Sequence, residues 1–433
     1  VPLRLNSSDG GFAEAFAGLV ALKREQDADV GETVAAIIAD VRRRGDAALI
    51  DYTAKFDRLE LTPETLRITE AEVDAAVAEV DAATAEALQL AARRITAYHE
   101  RQMPADSRYT DEHGNELGAK WTAIGAAGLY VPGGQAAYPS SVLMNAIPAR
   151  VAGVARVAMV VPAPDGVLNP LVLLAARTAG IDEIYRVGGA QAVAALAYGT
   201  ATIAPVDKII GPGNAYVAAA KRQVFGTVGI DLIAGPSEIL VIADAENDPA
   251  WIAADLLSQA EHDEVAQAIL ITDDTDFADA VSEAVEAELA AMPRGAVAGA
   301  SWRDYGAIVT VGSLDEAPAL VDRLAPEHLE IATAAPEDLA GRIRNAGAMF
   351  LGRYTPEAIS DYVAGPNHVL PTARSARFSS GLSVQDFVKR TSIVRCTPDG
   401  LAAIAPAAVR LAEAEGLAGH ARSLTIRTNR TGD

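Results

Sequence analysis

The fold reading turns on Glu183-Ile184-Tyr185-Arg186-Val187-Gly188-Gly189-Ala190-Gln191-Ala192-Val193-Ala194-Ala195-Leu196-Ala197-Tyr198. Residues 183–187 are β-branched and aromatic enough for a strand, Gly188-Gly189 turns the chain, and 191–198 is an alanine-rich helix. The same unit recurs on both sides. Upstream, 128–131 is strand-like and runs into Pro132-Gly133-Gly134, and a strand at 155–162 precedes a helix at 170–179. Downstream, a strand at 208–210 ends in Gly211-Pro212-Gly213 before a helix at 215–225. Such alternation predicts a parallel sheet with helices on its faces.

Farther out, a second α/β series follows. Strands at 239–243, 266–272 and 307–311 alternate with helices at 249–261, 277–291 and 314–324. Before both series, residues 12–24, 33–52 and 70–102 carry apolar side chains at helical spacing, and 106–118 reads as a polar loop or hairpin. The tail from about 383 adds a strand at 392–396 and a helix near 406–415. There is no internal repeat and no low-complexity linker. The expected fold class is α/β: two Rossmann-like (incomplete) α/β domains with helical N-terminal and C-terminal extensions.

Composition narrows the function. The chain has 433 residues, 36 Lys plus Arg against 58 Asp plus Glu, and a formal charge of −22. That acidity argues against nucleic acid and against anionic membrane surfaces, both of which select basic patches. No apolar run reaches the roughly 20 residues of a membrane helix. The single cysteine, Cys396, excludes a disulfide scaffold and a thiolate zinc module, and it fits a reducing, cytoplasmic setting. The N-terminus lacks the apolar region of a signal peptide, and its opening Val1 suggests trimming or a start farther upstream.

The glycine turns have two readings. Gly188-Gly189 and Gly211-Pro212-Gly213 are either ordinary strand-to-helix turns or places where backbone approaches a phosphate at a helix N-terminus. Tyr216 stands where the last glycine of G-x-G-x-x-G would be, so a nucleotide would bind in a variant manner.

With six histidines, each can be weighed. His99 and His113 read as solvated. His262 ends a predicted helix whose face also carries Gln259 and Asp255, an arrangement that suits either a metal ion or a simple helix end. Pro326-Glu327-His328 looks like the first turn of a helix, with a carboxylate and an imidazole that are either two tunable bases or a helix start. Asp361 and His368 lie on a turn-rich loop, and His420 sits near the C-terminus.

These residues, taken as an ordered set, resemble the histidinol dehydrogenase family over nearly the whole chain. The resemblance rests on residues 230–244 (IDLIAGPSEILVIAD), on Ser258-Gln259-Ala260-Glu261-His262-Asp263 and on Pro326-Glu327-His328-Leu329-Glu330. Gly365-Pro366-Asn367-His368-Val369-Leu370-Pro371-Thr372, and Glu415-Gly416-Leu417 followed by His420, complete it. It implies NAD-dependent, four-electron oxidation of L-histidinol to L-histidine through a bound aldehyde, with two NAD⁺ and one Zn²⁺ per site. By the same resemblance the zinc ligands are Gln259, His262, Asp361 and His420. Substrate contacts add Ser237, Glu327, His328, His368 and Glu415, and NAD contacts are Tyr130, Gln191 and Asn214. A homodimer is implied, with the segment bearing Glu415 and His420 entering the partner's site. The chain departs from the family pattern at Gln135-Ala136-Ala137-Tyr138, which bears only on local cofactor contacts.

The expected division is a helical arm at 1–25, a first α/β domain at 26–128 and 238–382 with most of the zinc and catalytic site, an NAD-binding α/β domain at 129–237, and a C-terminal segment at 383–433. In this reading zinc anchors the substrate, His328 is the base and Glu327 activates water. A zinc hydrolase using Glu327 is the rival, as is a binding protein without turnover. A thiol route through Cys396 is disfavoured, because the 391–396 run reads as a strand with a buried cysteine.

Overall fold

The computed structural model describes residues 1–22, 30–133, 138–181, 183–233 and 235–428. The expected stretch 135–137 and the end of the first expected helix lie outside the described residues. The strands, in chain order, are β1 (Leu3–Asn6), β2 (Ser107–Thr110), β3 (Glu116–Ala123), β4 (Ala126–Tyr130), β5 (Arg156–Val160), β6 (Glu183–Tyr185) and β7 (Lys208–Ile210). They continue with β8 (Gly229–Ile230), β9 (Glu238–Ala243), β10 (Gln267–Thr272), β11 (Ala307–Thr310), β12 (His328–Ala332), β13 (Ala348–Leu351) and β14 (Val388–Arg395).

Two parallel sheets dominate. One has the order β6-β5-β4-β7-β8, the other β1-β11-β10-β9-β12-β13. Counted from its first strand-helix unit, each runs 3-2-1-4-5, the larger with β1 added at its edge, which is part of the doubly wound order. A third, antiparallel sheet, β14-β3-β2, pairs Val388 with Ala123 through Arg395 with Glu116.

The central strands are buried on both faces, so they read as near-continuous apolar runs. In β9, Ile239, Val241 and Ala243 pack with Leu256, Phe277 and Trp302, while Leu240 and Ile242 pack with Phe16, Leu320 and Leu339. The smaller sheet is covered likewise. Helices Gly31–Arg44, Gly189–Tyr198 and Ala215–Val224 lie together on one face; Ala82–Glu100, Pro139–Val151 and Pro170–Thr178 lie on the other.

The helices between residues 31 and 100 pack chiefly with the helices of the smaller sheet, and the expected boundary at 128/129 falls inside β4. β1, inside the expected helical arm, pairs with β11 of the larger sheet. The expected helix at 33–52 is two, broken at Gly45.

Candidate active site

The larger sheet presents its N-terminal edge to a cavity of about 430 Å³, and the smaller sheet presents its C-terminal edge. Ser237 precedes β9, Glu327 precedes β12, and His328 is the first residue of β12. From the other side come Pro132 after β4, Gly211-Pro212-Gly213 after β7, and Asp231 after β8. Gln259, His262, Asp361 and His368 complete the lining together with Ser237, Glu327 and His328.

Pro326-Glu327-His328 therefore does not open a helix; it enters a buried strand. The reason is period two. Leu329 and Ile331 face one apolar layer, and the alternate residues His328 and Glu330 face the helix Pro249–Ala260, which carries Asp255 and Gln259. Asp255 pairs there with Glu330, and burial pushes its carboxyl up to about 6.

Glu238 shapes both expected catalytic groups. Its N–H donates to Glu327 Oε2 at 2.9 Å, the Glu327 N–H donates to Glu238 Oε2 at 3.2 Å, and its carbonyl accepts from His328 Nδ1 at 2.9 Å. With Nδ1 carrying the proton, His328 Nε2 is left as a buried lone pair without a hydrogen-bond partner. Burial lowers the His328 pKa to about 4, so the ring is neutral across the physiological range. Burial first, and then the like charge of Glu238, hold the Glu327 carboxyl well above the ordinary carboxylate range.

Glu357 was not singled out from sequence. Its Oε2 accepts from Gln259 Nε2 at 2.6 Å, and its Oε1 lies 3.4 Å from His328 Nε2. Burial, then the neighbouring Asp361 charge, pushes its carboxyl up to about 8. Its spacing of four residues from Asp361 was the available signal, since such pairs share a helix face. Donor atoms of His328, Glu357 and Asp361 all lie within 4.8 Å of one another. Burial raises the Asp361 carboxyl, but the hydrogen bond and charge of His368 outweigh it and hold the group below its ordinary value.

The donors fit a divalent cation. Glu357 holds the Gln259 amide by its nitrogen, leaving Oε1 buried with no hydrogen-bond partner. The Asp361 carboxylate and the His262 imidazole, whose Nδ1 is 3.3 Å from Ser237 Oγ, line the same cavity. Several carboxylates surround this point, a field that favours a cation. The cluster of His328, Glu357 and Asp361 overlaps the expected ligand set only at Asp361.

Other residues fall elsewhere. Tyr130, Gln191 and Asn214 do not line the cavity. The Tyr130 hydroxyl accepts from Gly189 N–H at 3.0 Å, and Gln191 Oε1, buried nearby in the same turn, has no partner. That orphaned acceptor suits a hydrogen-bond donor on a ligand, such as a hydroxyl or amide, at this helix N-terminus. Asn214 caps the next helix through Tyr216 and Val217 N–H. Glu415 and His420 are exposed on the C-terminal helices, outside the cavity lining. His99 is buried, not solvated, because its ring bonds Gln102 at 2.7 Å and faces Asn367. Cys396 is exposed, one residue beyond β14, rather than buried within a strand. His113 is exposed as expected.

Comparison with known proteins agrees along the chain. The histidinol dehydrogenase family model matches residues 21–428. A histidinol dehydrogenase from Rhodospirillum rubrum is 67% identical over 431 residues, 99% of each chain, and one from Ruegeria pomeroyi 65% over 430, again 99% of each. The crystal structure of histidinol dehydrogenase from Elizabethkingia anophelis superimposes with a TM-score of 0.95 at 36% identity, covering 98% of both chains.

Proposed function

The chain belongs to the histidinol dehydrogenase family, and from that premise we propose that it oxidises L-histidinol to L-histidine by way of L-histidinal, reducing two NAD⁺. The observation that carries this reading is the meeting, in one cavity, of a neutral imidazole with a free Nε2, a carboxyl of raised pKa beside it, and a donor group suited to a cation.

Gln259, His262, Asp361 and the partner subunit's His420 would hold Zn²⁺. When bound, zinc anchors and orients the substrate amine and imidazole, and NAD⁺ accepts hydride. His328 Nε2 takes the alcohol proton as hydride leaves the carbinol carbon, giving the aldehyde and one reduced cofactor. Glu327, once ionised, removes a proton from water as its oxygen adds to the aldehyde carbon. His328 first returns its proton to solvent; loss of a second hydride to the second NAD⁺ and of the hydroxyl proton to His328 Nε2 then yields the carboxylate. Ser237, His368 and the partner subunit's Glu415 would position the substrate. Exposure of Glu415 and His420 on an arm away from this chain's own cavity supports a homodimer with shared sites. Among the described residues no helix is long and apolar enough to cross a membrane, and the biosynthetic role suits the cytoplasm.

The test is reduction of NAD⁺ with L-histidinol before and after exhaustive chelation. Reduced cofactor should appear, cease on metal removal, and partly return with Mn²⁺ or Co²⁺, as expected for an N/O donor set. Full activity in metal-free protein would contradict the assignment. Peptide or ester cleavage without cofactor reduction would favour the hydrolase.

A further inference from the structure

The smaller sheet's edge contains a buried ion pair that the reaction as described leaves unused. Lys221, on the helix Ala215–Val224, and Asp231, just after β8, have side chains 4% and 2% exposed and form a direct ion pair. Between them they grip the two peptide units that flank Gly211. Asp231 Oδ2 accepts from Gly211 N–H at 2.8 Å, and Lys221 Nζ donates to the Gly211 carbonyl at 2.9 Å. The four groups close a ring around Gly211.

Gly211 is where the chain needs holding. Its φ is +107°, and a Cβ there would stand 2.1 Å from the Tyr130 carbonyl oxygen. Two residues on, a Cβ on Gly213 would meet Val217 Cγ1 at 2.4 Å, so the turn is seated tightly on the helix that follows it. Left to itself, a glycine turn samples many conformations. A buried charge pair costs desolvation that its mutual attraction need not recover, so it is a weak source of stability and better suited to fixing one arrangement. Gly211, Pro212, Gly213, Lys221 and Asp231 all line the cavity shared with His328.

We propose that Lys221 and Asp231 are positioning residues that lock the Gly211–Gly213 turn into the one conformation that receives the dinucleotide. The proposal rests on NAD⁺ being the cofactor. It acts through the turn's backbone, and neither side chain transfers a proton or hydride.

The experiment is a double-mutant cycle with Lys221→Met, Asp231→Asn and the pair, on the zinc-loaded dimer. KM for NAD⁺ and for L-histidinol are measured separately, with hydrogen exchange at residues 211–216. Reduction of NAD⁺ by the wild type tests the cofactor reading itself; the comparison among variants tests the clamp. Each single change should raise KM for NAD⁺ roughly 10- to 100-fold, as a small misplacement of binding groups does. KM for histidinol should stay within about twofold, and exchange at the turn should rise. The double variant should resemble either single rather than their product, because the two side chains form one ion pair that holds one residue from both sides. Asp231→Asn keeps shape and an acceptor for the Gly211 N–H, so it carries the test where Lys221→Met fails to fold. Equal movement of both KM values, multiplicative effects, or unchanged exchange at the turn would overturn the proposal.

Discussion

The two main sheets share a strand order yet turn opposite edges to the cavity. The smaller sheet offers the ends of β4, β7 and β8, where Gly211-Pro212-Gly213 brings backbone close. This is the usual place for a ligand in a doubly wound sheet. The larger sheet offers the starts of β9 and β12, where Glu238, Glu327 and His328 are locked together by three hydrogen bonds. One edge is glycine backbone braced by the Lys221–Asp231 ion pair; the other is a cluster of buried carboxyls and an imidazole. On the function proposed above, the difference becomes a division of labour, with one edge seating the cofactor and the other holding and deprotonating the substrate.

The largest expected effect breaks the side-chain edge alone. His328→Gln should lower kcat about 10²- to 10⁴-fold, the usual contribution of a general base, with NAD⁺ affinity by fluorescence titration unchanged. Glu327→Gln should spare oxidation to the aldehyde and block the acid-forming step in single-turnover assays. Because the Glu327 pKa is raised, that second step should speed up as pH rises through it in the wild type. Equal loss of both half-reactions would count against the split.

Next in size, Glu357→Ala removes the group that orients the Gln259 amide. Competition against a chelator should show metal binding weakened about 10- to 100-fold, as for other residues that orient metal ligands. The dinucleotide edge should not notice.

On the backbone edge, Gly211→Ala should destabilise the fold by about 1–3 kcal/mol, the range for a residue forced into sparse φ/ψ space, read from a denaturant midpoint. A variant as stable as the wild type would mean that the turn is not held as described.

A smaller effect concerns His99, which braces the loop bearing His368 through Asn367. Burial lowers its pKa from the ordinary 6.5. A depressed folded-state value means that the contribution is complete above the unfolded value and is lost as pH falls below about 6.5 toward the folded one. Urea midpoints at about pH 7.5 and about pH 5.5 should therefore differ less in His99→Gln than in the wild type. Smallest of all, Cys396→Ser should leave turnover near normal, since neither edge presents a thiol.

The alternation of strands and helices was legible because parallel strands buried on both faces are apolar throughout. The helix Pro139–Val151 was missed for a related reason: nine of its residues are buried, so it shows no polar face. β12 was misread because Glu327, His328 and Glu330 look solvated in sequence, although folding pairs them with Glu238, Asp255 and Glu357. Ser237, Gln259, His262, Asp361 and His368 were named through ordered motifs, and the cavity brings them together. For Glu357 the only sequence signal is its spacing from Asp361, because its role comes from contact with Gln259, 98 residues away in sequence. His99 was misjudged because burial of one polar residue in a charged helix is decided by what packs on it.

The proposed reaction is a four-electron oxidation completed at one cavity between these two edges. It is tested most directly by counting reduced NAD formed per L-histidine released from L-histidinol at limiting substrate. Two per histidine, without free aldehyde, is the predicted result. One reduced cofactor per substrate consumed, with aldehyde escaping and no histidine formed, would contradict it.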